Sequence, residues 1–176
     1  MKKICITLTI CAIILLSIGG VFINQKTSTK EYLRIHIRAD SNLEEAQAVK
    51  YLVKDAVVKY LTPIIASIKT KAQAVKSLTS ALSNIENVAD AVLKEQGFNY
   101  TAKAKIKNQA FPTRVYNGYT LEQGFYDALI IELGSGKGDN WWCVVYPPLC
   151  FTGGVGYEYK SKIYEIIKDF FNKQEE

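Results

Sequence analysis

The stretch Gly134-Ser-Gly-Lys-Gly-Asp-Asn-Trp-Trp-Cys-Val-Val-Tyr-Pro-Pro-Leu-Cys-Phe151 decides how this chain is read. It holds both tryptophans and two of the four cysteines in a sequence of 176 residues. Glycines at 134, 136 and 138 give a backbone that can take positive φ or admit another group at close range. The apolar run Trp141–Tyr146 then reads as a short buried strand, and Pro147-Pro148 ends it because neither ring can donate to a ladder. In a strand, Trp141 and Trp142 point to opposite faces. One can fill the core, and the other must face solvent, a helix or a partner, where an aromatic is a natural hot spot or could stack on a sugar ring.

Upstream, Phe125–Leu133 reads as a strand that pairs with Trp141–Tyr146 across the glycine loop. Phe111-Pro-Thr-Arg-Val-Tyr116 reads as another strand, with Asn117-Gly118 as the turn signal between them. From Phe98 the period is two: Phe98, Tyr100, Ala102, Ala104 and Ile106 alternate with Asn99, Thr101, Lys103, Lys105 and Lys107. The lysine row is a solvated face, an edge guarded against aggregation, or a docking surface for an acidic partner.

Tyr32-Leu-Arg-Ile-His-Ile37 alternates too, which predicts a half-buried strand. Ser41-Asn-Leu-Glu44 then reads as a capping box opening a helix, with Ser41 as the cap. Val49, Leu52, Val53, Ala56, Val57, Tyr60 and Leu61 form its stripe, and Pro63 ends or bends it. A second helix runs from Lys71 to Gln96, with Val75, Leu78, Leu82, Ile85, Ala89 and Val92 inward and Gly97 as its stop. Lys160–Lys173 is a third amphipathic stretch. The expected class is α+β, with a strand, a helical hairpin, an antiparallel sheet and a C-terminal helix in one sandwich domain.

Ahead of this lies Lys2-Lys3 and then the charge-free run Ile4–Ile23, long enough to cross a bilayer. Residues 1–25 therefore read as a signal peptide or an uncleaved membrane anchor, 26–31 as a linker and 32–176 as a single exported domain. Setting Lys2 and Lys3 aside from the 22 basic residues leaves 20 against 17 acidic ones, a net +3. That is too mild to imply nucleic acid. Cys5 and Cys11 fall in the leader. Cys143 and Cys150 remain, and export permits them a disulfide, two buried free thiols being the alternative.

The string Gly-x-Gly-x-Gly-x-Asn-Trp-Trp-Cys-Val with Tyr-Pro-Pro-Leu-Cys-Phe resembles the hallmark of the stage II sporulation protein R family. Phe111-Pro-Thr113 with Tyr116, Gly124-Phe-Tyr-Asp-Ala-Leu129 and His36-Ile-Arg-Ala-Asp-Ser-Asn42 extend the resemblance. Where the family usually reads Ala-Asn-Ser-Asp, this chain has Ala39-Asp-Ser-Asn42, with the two polar residues exchanged. The resemblance implies an exported forespore signal that triggers a membrane-embedded aspartic protease of the mother cell, which then matures a sporulation sigma factor. It implies no cofactor. On that reading the partner would meet the end of the first strand (His36, Asp40, Ser41, Asn42) and the glycine loop with its tryptophans (Gly134, Gly136, Gly138, Asn140, Trp141, Trp142).

Other chemistries fit less well. A phosphate loop would need Gly where Ile131 stands and Ser or Thr where Gly138 stands. His36 is the only histidine, so with Cys143 and Cys150 it offers three zinc ligands, and Asp40 is an unsupported fourth. A Cys143 nucleophile with His36 as base would suit a cell-envelope hydrolase, but burial in an apolar strand raises a thiol's pKa. A wall-glycan-binding module is the remaining alternative.

Overall fold

β1 (Leu33–Arg38) is fully buried along almost its whole length, and that burial organises everything around it. The computed structural model describes residues 31–116 and 119–151. The chain divides into two units, and the described fold lies in the second, which starts at Tyr32. β1 is followed by α1 (Glu44–Ile65), α2 (Lys71–Glu95), β2 (Ala102–Phe111), β3 (Arg114–Tyr116), β4 (Tyr119–Leu121), β5 (Gly124–Leu133) and β6 (Asn140–Tyr146). The order in the main sheet is β2-β5-β1-β6, while β3 and β4 pair in a separate small ribbon.

The class is α+β as expected, but the sheet is mixed rather than antiparallel. β1 runs parallel to β5 and antiparallel to β6, and β2 runs antiparallel to β5. The expected pairing of β5 with β6 is not formed, because β1 lies between them. The alternation in β1 reads as half-buried only if one face is wet. Here Leu33, Ile35 and Ile37 join the helix-side core, and Arg34 and His36 are equally buried on the other face. A strand closed off on both faces needs a neighbour on each edge to satisfy its backbone, and β5 and β6 supply them.

The helical hairpin covers one face. α1 buries Ala46, Val49, Val53, Val57, Leu61 and Ile65, and leaves Leu52, expected inside, exposed. It runs two residues past Pro63, whose missing N–H falls in the last turn. Its N-cap is Leu43, with no side-chain cap bond, so the Ser41 capping box does not form. The helix starts too late for the box: Glu44 is its first residue rather than its third, and the Asn42 side chain is turned to the glycine loop. Glu44 and Glu45 in the first turn still complement the helix dipole. α2 begins at Thr70, whose hydroxyl accepts from the Gln73 N–H, and its buried stripe is Ala74, Leu78, Ala81, Ile85, Ala89 and Leu93. Val75, Leu82 and Val92, expected inside, are only partly buried at its flanks. Gly97 beyond its end has φ +81°.

β2 starts at Ala102, so Phe98–Thr101 is not strand, and it continues to Phe111. The expected Phe111–Tyr116 strand is therefore divided: Phe111 closes β2, and Arg114–Tyr116 pairs with Tyr119–Leu121. The opposite face of the sheet carries a second apolar cluster of Tyr32, Phe111, Leu121, Tyr126, Ala128, Ile130, Val144 and Leu149. The Cys143–Cys150 disulfide ties the middle of β6 to the segment after Pro147-Pro148, with Cα atoms 6.2 Å apart. Among the described residues no helix is long and apolar enough to cross a membrane. The leader, the 26–30 part of the linker, the Asn117-Gly118 turn and the Lys160–Lys173 helix lie outside the described residues.

Candidate functional site

The two stretches singled out in the sequence, His36–Asn42 and Gly134–Trp142, are one place in the fold. β1 and β5 are parallel neighbours, so the chain leaving β5 must pass over the end of β1 to start β6. The glycine loop makes that crossing and clasps residues 39–42. Gly138 N–H donates to the Ala39 carbonyl at 2.9 Å, and Lys137 N–H to the Asp40 carbonyl at 3.2 Å. Asp40 Oδ1 accepts from Ser135 N–H at 2.6 Å, and the Asp40 carbonyl accepts from Ser135 Oγ at 2.6 Å. Asn42 Oδ1 accepts from Asp139 N–H at 2.6 Å, and Asn42 Nδ2 donates to Asp139 Oδ1 at 3.4 Å.

The glycines are there for this approach. A Cβ on Gly138 would run into the backbone of Ser41. Gly134 has φ +55°, and a Cβ there would strike the Asp40 carboxylate. The exchanged pair Asp40/Asn42 also fits its surroundings. A carboxylate at 40 faces a backbone donor, while the amide at 42 both accepts from and donates to Asp139, which a carboxylate could not do.

Below the clasp lies His36. Its Nε2 is 2.8 Å from Asn140 Oδ1, and its Nδ1 is 3.3 Å from Gln109 Nε2. A neutral ring with its proton on Nε2 satisfies both contacts: it donates to Asn140 and accepts from Gln109. The ring stacks on Trp142 at 3.8 Å between centroids, and Phe111 meets both rings edge-on. Burial drives its pKa down to about 4, and the cations Arg38 and Arg34 add to the effect against the Asn140 hydrogen bond, which opposes it.

Trp141 takes the other face, packed against the helix-side core with Lys54 Nζ 6.0 Å from its ring centre. Each tryptophan thus has an intramolecular neighbour, and both remain partly exposed.

Three residues here escaped the sequence reading. Lys50, buried on α1, donates to Gln47 Oε1 at 2.6 Å and to the Asp139 carbonyl at 3.2 Å, so it anchors the clasp from the helix layer. Burial lowers its pKa. Gln109 looked like one more polar residue of an alternating strand. Arg34 is fully buried: Nη2 donates to Tyr116 Oη at 2.8 Å, and the guanidinium lies 4.3 Å and 4.8 Å from the ring centres of Phe111 and Tyr126. Among the described residues its Nε and Nη1 have no hydrogen-bond partner. The only available signal was the strict alternation of polar Arg34 and His36 with apolar neighbours, and it pointed to solvent.

The Cys143–His36 pair required for thiol catalysis is not assembled. Cys143 belongs to the helix-side core and is bonded to Cys150, while His36 lies on the opposite face beside Trp142. Among the described residues no group of three or more His, Cys, Asp or Glu side chains could hold a metal ion.

Comparison with known proteins agrees with the motif. A family model described as Stage II sporulation protein R matches residues 29–155. A Stage II sporulation protein R of Bacillus subtilis (strain 168) is 32% identical over 164 residues, covering 86% of this chain and 72% of that protein. No solved structure gives a significant match.

Proposed function

The chain belongs to the stage II sporulation protein R family and so has a role in sporulation, and from that premise we propose that it is an exported intercellular signal. The family match over residues 29–155, which takes in both halves of the clasp, carries the reading. The signal crosses the forespore membrane into the intermembrane space, secreted or held by its N-terminal segment. There it activates a membrane-embedded aspartic protease of the mother cell, which matures a sigma-factor precursor.

Activation of this kind needs no chemistry from the signal itself. It needs a surface that binds the active state of the protease more tightly than the inactive one, since a ligand shifts an equilibrium only by its differential affinity. The clasp suits that task physically. Seven hydrogen bonds between residues 39–42 and 135–139 fix its shape before binding, so little ordering entropy is lost on docking. The contact surface proposed is His36, Asp40, Ser41 and Asn42 together with Gly134, Gly136, Gly138, Asn140, Trp141 and Trp142. Of these, His36, Gly136 and Gly138 are buried and act by shaping the surface.

The test is reconstitution in a non-sporulating host: full-length chain, protease and sigma-factor precursor expressed together. Precursor cleavage that depends on this chain is the expected result. Absence of cleavage with all three shown present and folded would overturn the proposal. Retention on purified peptidoglycan, or cleavage of it, would then favour the wall-binding or hydrolase alternatives.

A further inference from the structure

β2 is a strand of ten residues at the edge of the described sheet, bonded on one side to β5 and, among the described residues, on the other to no strand. Its outward backbone groups can be assigned. Ala102 N–H donates to Asp90 Oδ1 at 2.6 Å and Ala104 N–H to Glu86 Oε1 at 2.8 Å, both from α2. These amides therefore point away from β5, and by strand alternation so do those of Ile106, Asn108 and Ala110. α2 crosses the sheet obliquely. Its C-terminal half reaches past the edge at Ala102 and Ala104, whereas Lys71 at its start is inside the edge, paired with Asp127 of β5 at 2.8 Å. Among the described residues the edge is thus covered at its beginning and uncovered from Ile106 onward. Among the described residues no hydrogen bond reaches the outward groups of Ile106, Asn108 or Ala110.

We propose that this uncovered half of β2 takes up an extended acidic segment of a partner protein as an added strand. Open strand edges are templates for such pairing, with backbone bonds supplying affinity and side chains specificity. The side chains define what fits. On the helix-free face Lys105 stands at the border of the uncovered half and Lys107 within it, both exposed; Lys105 meets Glu132 at 2.7 Å, and among the described residues no ion pair meets Lys107. A strand laid alongside sets its own side chains about 5 Å from these. Acidic residues at alternate positions are then favoured. A second copy of β2 is disfavoured, because it would set lysines against lysines. The chain itself uses two carboxylates to satisfy the covered half of this edge, which is the same preference within one molecule. This inference does not rest on the protease reading.

The test uses the full-length chain in mild detergent and a fluorescein-labelled octapeptide of alternating Glu and Val. Controls are the Lys-Val peptide and a Glu-Val peptide interrupted by proline. The Glu-Val peptide is expected to bind, and to slow hydrogen exchange at Ile106, Asn108 and Ala110 at least tenfold. Ala110→Pro removes an outward N–H and leaves the ladder to β5 intact; it should weaken binding at least tenfold with an unchanged circular dichroism spectrum. Lys107→Glu should weaken binding of the Glu-Val peptide at least threefold and strengthen that of the Lys-Val peptide. The proposal is overturned by absence of binding at millimolar peptide. It is overturned equally if the proline-interrupted peptide binds as well or exchange at the three amides is unchanged, since either means diffuse charge attraction. Protection of those amides without peptide, lost on dilution, would show a second copy on the edge and would also overturn it. The exchange measurement needs no variant, so a misfolded Ala110→Pro leaves it decisive.

Discussion

Lowering the pH from 7.5 to 5 should destabilise this fold by a calculable amount through one residue. His36 is the sole histidine, and its folded pKa is about 4 against the ordinary 6.5. A depressed histidine is neutral in both states above pH 6.5 and costs nothing there. As pH falls through 6.5 the unfolded chain takes up a proton that the folded chain refuses, so stability drops by about 1.4 kcal/mol per pH unit until about pH 4. Between pH 7.5 and 5 these two pKa values give a loss of about 2 kcal/mol. The window is clean. Asp127 and Glu132 have lowered pKa values, through hydrogen bonds from Lys71 and Lys105 respectively, so their own stabilisation is lost only in more acid solution. Urea unfolding of residues 32–176, followed by tryptophan fluorescence, should show the midpoint falling by about 1 M between pH 7.5 and 5 for an m-value of about 2 kcal/mol/M. His36→Phe, which keeps a ring against Trp142, should be less stable at pH 7.5 but flat across the window. A wild-type stability that is flat over the same range, or rises toward acid, would refute the assignment of a buried neutral imidazole.

Other perturbations have equally definite expectations. Gly138→Ala drives a methyl into the Ser41 backbone and should cost about 2–4 kcal/mol in the same unfolding assay. Gly97→Ala, which has open space and only an unfavourable φ, should cost about 1 kcal/mol. Asn42→Asp loses the donor to Asp139 and sets two carboxylates together; a loss of roughly 1 kcal/mol is expected, restored by Asp139→Asn in a double-mutant cycle. Arg34→Met keeps the length of the side chain and removes a buried charge whose Nε and Nη1 are unbonded among the described residues. It should stay within about 1 kcal/mol of wild type, whereas Arg34→Ala should cost about 3 kcal/mol or more by leaving a cavity among Phe111, Tyr116 and Tyr126.

What the sequence alone determined was everything governed by local period and local chemistry. Helical spacing placed α1 and α2, Gly97 marked the stop of α2, alternation placed β1 and most of β2, and Pro147-Pro148 marked the end of β6. The Gly134–Phe151 string was specific enough to indicate the family. Tertiary structure decided what depends on neighbours. The pattern of β1 is the same whether its polar face meets water or an aromatic layer, so only the fold revealed Arg34 and His36 as buried. Strand pairing is not encoded in strand sequence: nothing local states that β1 enters between β5 and β6, yet that insertion turns an antiparallel sheet into a mixed one. It also brings two distant stretches into one clasp. The same clasp turns the Asn42 side chain to Asp139 rather than to the α1 amides. Local rules hold where backbone groups have only local partners, and at this site the partners come from the other end of the fold.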